Sequence, residues 1–355
     1  MKASARQVFV GFIILIMVAL IVWVVWPRKD VHPPTTSGRA IAPDPRDIES
    51  ARDQGPGDTG PGVDIQPADV PRFVKRPAGL PALLDMPAAE ALAAVERGLE
   101  MAGDGALLEA RAALSQAMLS GRLPEAQAAQ AVKALEELAD ATIFSRVAHN
   151  GDPYTGYHTF KPGQILTGPN GVVRKLSLRV PEVLIVRING LAGAEKFQAG
   201  KAYKIIHGPF HAIVHKGKFV MDLYLQREDL PAVFVRRVPV GIGKNGSTPL
   251  GPWQIAPTGK GIRVTWYPPP SSPVGKSEVH YNDPDYAFGD KGMWIPLKGM
   301  DETTAPLSGY GIHSTNDPGS IGTESSLGCI RLADDHIELV YSLLYPVHST
   351  VETRP

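Results

Sequence analysis

The hydrophobic rhythm of the chain changes four times. Val8 to Trp26 is a run of 19 residues without a charge, flanked by Lys2 and Arg6 before it and by Arg28 and Lys29 after it. At about 1.5 Å per residue, a helix of that length just crosses a hydrocarbon core of roughly 30 Å. The run ends in VWVVWP, which offers a signal peptidase no small residues, so residues 1–26 read as an uncleaved membrane anchor. Basic residues on both flanks give only a weak positive-inside vote for an inner N-terminus. Residues 27–81 carry eleven prolines and the run DQGPGDTGPGVD, with no apolar period. They are expected to form a disordered tether with a typical span of roughly 40 Å by flexible-chain scaling.

Residues 82–148 turn abruptly to Ala, Leu and Glu. AAEALAAVERGLEMA, GALLEARAALSQAMLSG and PEAQAAQAVKALEELADATIFSRVA predict three helices. Leu107, Leu108, Arg111, Leu114 and Met118 keep helical spacing, with one long charged side chain interrupting the stripe. Pro124 suits the first turn of the third helix. The expected product is a small antiparallel all-α unit, faintly similar to a tetratricopeptide pair, serving as a spacer or a protein-docking module.

A third pattern follows NGDPYTGY. YHTFKPGQIL, VPEVLIVRINGL and EKFQAGKAYKII predict strand, helix, helix, strand over residues 154–207. From residue 208 to 355 short β-branched runs take over: FHAIVH, KFVMDLYLQ, AVFVRRVPVGIG, GPWQIA and GIRVTWY. Helical period returns only in DDHIELVYSLLY, so this last domain is predicted mostly β with one late helix.

Two patterns there are decoys. His207, His211 and His215 recur every four residues, a metal-ligand spacing on a helix, but HGPFHAIVHKGKF alternates like a strand. On a strand, positions four apart are about 13 Å apart, too far to share one ion. Gly241, Gly243 and Gly246 spell GxGxxG, yet Pro249, Gly251 and Pro252 follow where a dinucleotide site needs a helix. A turn between strands is expected instead.

Composition narrows the chemistry. Lys plus Arg and Asp plus Glu both total 36, so nothing in the charge balance points to nucleic acid. A single cysteine, Cys329, excludes internal disulfides and thiolate-rich metal sites. A lone cysteine is often a small buried hydrophobe. This one follows Gly328, which lets backbone N–H groups approach an oxyanion, and lies sixteen positions after His313 along a Gly- and Pro-punctuated stretch. A thiol with a pKa near 8.5 needs a base or a nearby cation to become nucleophilic, and an imidazole can supply either. Arg331 is a candidate anchor for a substrate carboxylate or the partner of a structural acid.

Two resemblances add to this. KPGQIL (161–166), VRINGL (186–191) and AGKAYKI (199–205) are similar to the LysM module, a βααβ glycan-binding fold, which implies glycan-strand contact through residues 154–207. Pro169 in TGPNG stands where that family starts its first helix, so Asn170 is expected to cap a delayed one. HSTNDPGSIGTESSLGCIR (313–331) resembles the signature of the YkuD-type L,D-transpeptidases, with VGIGKNGSTPLGPWQI, GMWIPLKG and DDHIELVYSLL matching around it. Leu327 departs from members that carry a second histidine there, and Ser314 from the usual glycine.

What this resemblance implies is a peptidoglycan enzyme. Cys329 would be the nucleophile and His313 the general base and acid, with the backbone of Leu327, Gly328 and Cys329 as oxyanion hole. Ser326, Arg331, Ser314, Tyr310 and Trp294 would support the loop or bind substrate. Stem peptides would be donor and acceptor, joined 3–3 through a cysteinyl thioester with loss of terminal D-Ala, and no metal or organic cofactor would be needed. Water as acceptor would make an L,D-carboxypeptidase, and a protein acceptor a wall-attachment enzyme. The rival from another class is a non-catalytic peptidoglycan-binding envelope protein. A sortase is disfavoured by the short interval between His313 and Cys329. The whole would be a multidomain chain held on the inner membrane, its catalytic domain outside the cytoplasm.

Overall fold

Alternation on three adjacent strands decides how the layers stack. In the computed structural model, which describes residues 81, 83–227 and 230–355, strands β3 (Phe210–His215), β4 (Val220–Leu225) and β5 (Val233–Pro239) run antiparallel side by side. Ala212, Val214, Met221, Leu223, Leu225, Val233 and Val235 point into the main core. The intervening Ile213, Tyr224 and Phe234 point the other way, into a second core. Both faces are covered, so these strands read as nearly continuous apolar runs.

The second core is closed by helices α1 (Ala88–Gly103), α2 (Leu107–Leu119) and α3 (Glu125–Ala139). Phe234 N–H donates to Ser115 Oγ at 3.0 Å and Arg237 N–H to Glu136 Oε1 at 3.0 Å. The helices therefore lie on the sheet as one of its layers. The third helix is shorter than its sequence period suggests: a π-helical turn over Asp140–Phe144 ends it, and no helix continues to residue 148. Pro124 stands just before the first helical residue. Arg111, the interruption in the stripe of α2, is buried against Asp152, with Arg111 Nη2 2.8 Å from Asp152 Oδ1, and its Nη1 donates to Thr142 Oγ1 at 2.8 Å.

Strand β1 (Thr155–Thr159), helices α4 (Val172–Lys175) and α5 (Glu182–Ile188), and strand β2 (Ala202–Ile206) follow in that order, and β1 pairs antiparallel with β2. Gly171, not Asn170, stands at the N-cap of the one-turn α4, and no side chain caps it. Leu184, Ile185, Ile188, Ile205 and Ile206 join the main core. Buried Lys204 donates to the carbonyls of Thr142, Ser145 and Val147 at 2.6–3.1 Å, which closes the end of the π turn. Burial lowers its pKa to about 8.

The remaining elements complete a nine-stranded sheet. These are β6 (Ile242–Gly243), β7 (Gly251–Ile255), β8 (Gly261–Ile262), β9 (Met293–Gly299), β10 (Gly311–Ser314), β11 (Glu324–Ser326), β12 (Ile330–Leu332), helix α6 (Asp334–Leu343) and β13 (Thr350–Arg354). The order is β12-β10-β9-β7-β13-β3-β4-β5, with β8 beside β9, while β6 and β11 pair separately. The strand expected over GIRVTWY stops at Ile262, because Arg263 turns to φ +56° and its N–H goes to Gly292 O at 2.7 Å. All the described residues belong to one unit that runs from Pro71 to Pro355, so the three expected modules share cores. Among the described residues no helix is long and apolar enough to cross a membrane. The expected anchor and nearly all of the expected tether lie outside them.

His211 sits in β3, 1 % exposed, where Thr350 N–H donates to its Nδ1 at 3.2 Å across the β3–β13 pair. Burial holds its pKa down to about 3, and that of His313 to about 4. Both folded values lie below the unfolded one. Their neutral forms therefore support the fold fully above about pH 6.5 and lose that support as pH falls toward 4 and 3. Denaturant midpoints should drop across this window with a slope of up to about 1.4 kcal/mol per pH unit for each histidine, and His211→Gln should flatten it. A level profile from pH 6.5 to 4.5 contradicts the account. Separately, Arg111→Met should cost about 3–5 kcal/mol in unfolding experiments, because Asp152 is left charged and buried, and adding Asp152→Asn should restore part of the loss.

Candidate active site

The site is built on the parallel pair β10–β12, in which Ile312 faces Ile330, His313 faces Arg331 and Ser314 faces Leu332. Ile312, Ile330 and Leu332 enter the main core, so His313 and Arg331 share the opposite face. Cys329 immediately precedes β12, and its thiol lies against the entry to β10. Sγ donates to Gly309 O at 3.7 Å, and the Gly311 amide also hydrogen-bonds the sulfur. Cys329 as a residue is partly exposed, whereas His313 is only 4 % exposed.

The ring of His313 is fixed on both sides. Nδ1 is 2.6 Å from Ser314 O. A carbonyl only accepts, so Nδ1 carries the proton and Nε2 keeps its lone pair. Phe288 packs on the imidazole at 4.7 Å and Trp294 at 5.9 Å, and the two rings stack on each other at 5.0 Å. Ser314 Oγ donates to Phe288 O, which secures the turn that carries the Phe288 ring. An ideal Cβ on Gly311 would meet the Trp294 indole at 2.3 Å, so glycine is what admits Trp294 here.

Charge follows from burial. The thiol is pushed up to about 11, chiefly by desolvation, against which the Gly311 N–H and the Arg331 charge pull it down. The imidazole is lowered to about 4, again by desolvation first, with the Ser314 carbonyl raising it and Arg331 lowering it. At neutral pH the resting groups are therefore neutral thiol and neutral imidazole. The Arg331 guanidinium is 4.0 Å from exposed Asp317, and its buried Nε lacks a protein partner among the described residues.

Ser326 holds the loop before the cysteine: its Oγ donates to Cys329 O at 2.6 Å and accepts from Gly328 N–H at 3.1 Å. The Gly328 amide is thus already engaged, which removes it from the expected oxyanion donors and leaves Leu327 and Cys329 as candidates. Gly328 has φ +140°, and a Cβ there would meet Tyr310 at 2.8 Å and Ser247 O at 3.0 Å. Both facts require glycine. Tyr310 lies against this turn and packs on Trp253 at 5.4 Å.

The segment spelling GxGxxG is the cradle of that loop. Gly241 and Arg331 exchange two backbone hydrogen bonds at 2.8 and 2.9 Å, and β6 pairs with β11. Thr248, 2 % exposed, accepts from Gly243 N–H at 2.7 Å and donates to Gly328 O at 2.8 Å. Sequence reasoning missed Thr248, Phe288 and Gly311. Their roles arise from contacts that reach 17 positions from Gly311 to Trp294, 25 from Phe288 to His313 and 80 from Thr248 to Gly328, and no local pattern marks them.

Residues 209–352 match the YkuD family model, the L,D-transpeptidase catalytic domain. No curated protein matches the chain. Among solved structures, an L,D-transpeptidase from Mycobacterium smegmatis is 17% identical over 44% of this chain and 64% of its own, with a TM-score of 0.31. L,D-transpeptidase 1 from Mycobacterium tuberculosis is 16% identical over 44% and 67%, with a TM-score of 0.28. L,D-transpeptidase 3 from the same organism, in complex with a faropenem-derived adduct, is 12% identical over 60% and 99%, with a TM-score of 0.30. The match thus spans less than two thirds of the first of these enzymes.

Thr248 should be a positioning residue for Cys329. Thr248→Val should lower the rate constant for acylation of Cys329 by a carbonyl electrophile by between about tenfold and a hundredfold with KM little changed, and Thr248→Ser should restore it. Equal loss in both variants, or a change confined to KM, would show a role in stability or binding instead.

Proposed function

We propose that this protein is a peptidoglycan L,D-transpeptidase that forms 3–3 cross-links through a cysteinyl thioester. The observation that carries the reading is the fixed tautomer of His313: with Nδ1–H held by Ser314 O, Nε2 is left as a base, while Cys329 Sγ lies against the Gly309–Gly311 entry to the strand that carries His313. Cys329 Sγ attacks the carbonyl carbon of the third stem residue while its proton passes to Nε2. The peptide bond to terminal D-Ala breaks, and the imidazolium returns the proton to the departing amine. An amine on a second stem then attacks the thioester, Nε2 takes its proton, and the thiol is regenerated.

Neutral resting groups suit this sequence, since charge separates only as the carbon is attacked. The amides of Leu327 and Cys329 are the donors assigned to the oxyanion. Arg331 supplies a guanidinium suited to a substrate carboxylate. Residues 8–26 would anchor the chain in the inner membrane and residues 27–81 would tether it, which places catalysis in the envelope outside the cytoplasm. The order β1-α4-α5-β2 supports a LysM-like role for residues 154–207 in contacting glycan.

Incubation of the full chain with disaccharide-tetrapeptide, read by mass spectrometry, tests the proposal. A dimer lighter by one D-Ala is expected, and Cys329→Ala should abolish it. Tripeptide alone would assign an L,D-carboxypeptidase. D-Ala retained under all conditions, with Cys329→Ala indistinguishable from wild type, would favour a non-catalytic wall-binding protein.

A further inference from the structure

A cavity of ≈ 270 Å³ lies between the helical layer and the strands it covers. Met118 and Leu119 of α2 and Ile213 of β3 give it an apolar wall, and Asp222, Tyr224, Arg237 and Arg354 give it a polar one. None of the residues around Cys329 lines it. Exposed Lys218 stands at its rim, so it opens to solvent.

The polar wall is fixed by its own ion pairs. Asp222, 1 % exposed, accepts from Arg237 Nε at 2.6 Å and Nη2 at 2.7 Å, and His215 Nε2 lies 3.3 Å from its Oδ2. Burial raises the pKa of this carboxyl, but Arg237 and His215 outweigh it and hold the group below its ordinary value. Arg354 Nη2 donates to Glu352 Oε2 at 2.5 Å. Among the described residues, Nη1 of each arginine has no acceptor. Tyr224 is 2 % exposed, with its ring edge-on to Phe234 at 5.6 Å, and its hydroxyl has no partner among them either. Burial first and the Asp222 carboxylate second raise its pKa, so the phenol stays protonated and can donate. Buried phenols ordinarily find a hydrogen-bond partner, and this one ends among Asp222, Arg237 and Arg354.

Three uncommitted donors beside an apolar wall suit one ligand class. Two guanidinium N–H groups and a phenol O–H match the acceptor sites of a single carboxylate. A dianionic phosphate suits the wall less well, because Asp222 and Glu352 already offset one charge of each arginine. Ligand pockets commonly span about 300–1,000 Å³, so a cavity just below that range takes a small molecule. We infer that this cavity binds a small amphiphile with an apolar body, laid along Met118, Leu119 and Ile213, and one terminal carboxylate held by Tyr224, Arg237 and Arg354. The inference goes beyond the transpeptidase reading and does not depend on it.

The test uses the full chain with octanoate as probe and 1-octanol as its neutral counterpart, read by titration calorimetry and by thermal unfolding. Octanoate should bind once per chain and raise Tm as its concentration passes Kd. Octanol should bind at least about tenfold more weakly, because it lacks the charge the guanidinium groups meet. Arg354→Gln should weaken octanoate binding about tenfold, and Tyr224→Phe about threefold. Removing the Tyr224 hydroxyl strands no other group, so this variant should keep the wild-type near-UV circular dichroism and decides the matter if Arg354→Gln does not fold. No heat and no rise in Tm with octanoate, equal binding of octanol, or wild-type affinity in folded Tyr224→Phe overturns the inference.

Discussion

On β10 and β12 successive side chains point to opposite faces, and the chemistry of the site depends on that alternation. Ile312, Ile330 and Leu332 are drawn into the core by burial, each contributing about 1.5–3 kcal/mol relative to exposure. Their burial fixes the parity of the pair and so brings His313 and Arg331 onto one face. A slip of the pair by one residue would turn His313 and Arg331 toward the apolar core and Ile312, Ile330 and Leu332 away from it. The site geometry is in this sense a by-product of core packing, made specific by three short residues of pairing.

The Cys329 loop is held differently. It has little apolar weight of its own, so hydrogen bonds and close backbone approach position it: Ser326 from within, Thr248 and Gly241 from the facing turn. Gly328 is the point at which these constraints meet, since its φ and the nearness of Tyr310 leave no room for a side chain. A cradle of this kind fixes the backbone of Cys329 by hydrogen bonds rather than by apolar contacts of the loop itself.

Much of this was legible in the sequence, and the exceptions have physical causes. Short β-branched runs marked β3, β4, β5 and β7, and the spacing of Gly328, Cys329 and His313 marked the site. Strand β13 went unseen although it lies mid-sheet, because TVETR contains only Val351 as a strong apolar residue and its strand character comes from β3 and β7 on either side. The interrupted stripe of α2 showed that Arg111 was unusual, but its partner Asp152 lies 41 positions on, beyond any local period. The packing of the helices on the sheet was hidden for a related reason: periodicity reports that a helix has an apolar face, not that Phe234 and Tyr224 of the sheet will cover it.

The lone thiol can be understood from the same burial that shapes its pKa. A cysteine held near 11 is almost wholly protonated at neutral pH, and oxidants attack the thiolate far faster than the thiol. The sulfur is thus protected from oxidation at rest. Nε2 of His313 is a fixed acceptor, and Arg331 favours negative charge on the sulfur and neutrality on the ring. In the proposed reaction, charge would separate only when an acyl carbon is present to accept the electron pair as the proton leaves. A preformed thiolate–imidazolium pair would place two charges in the same apolar surroundings with no substrate to use them, which desolvation opposes here.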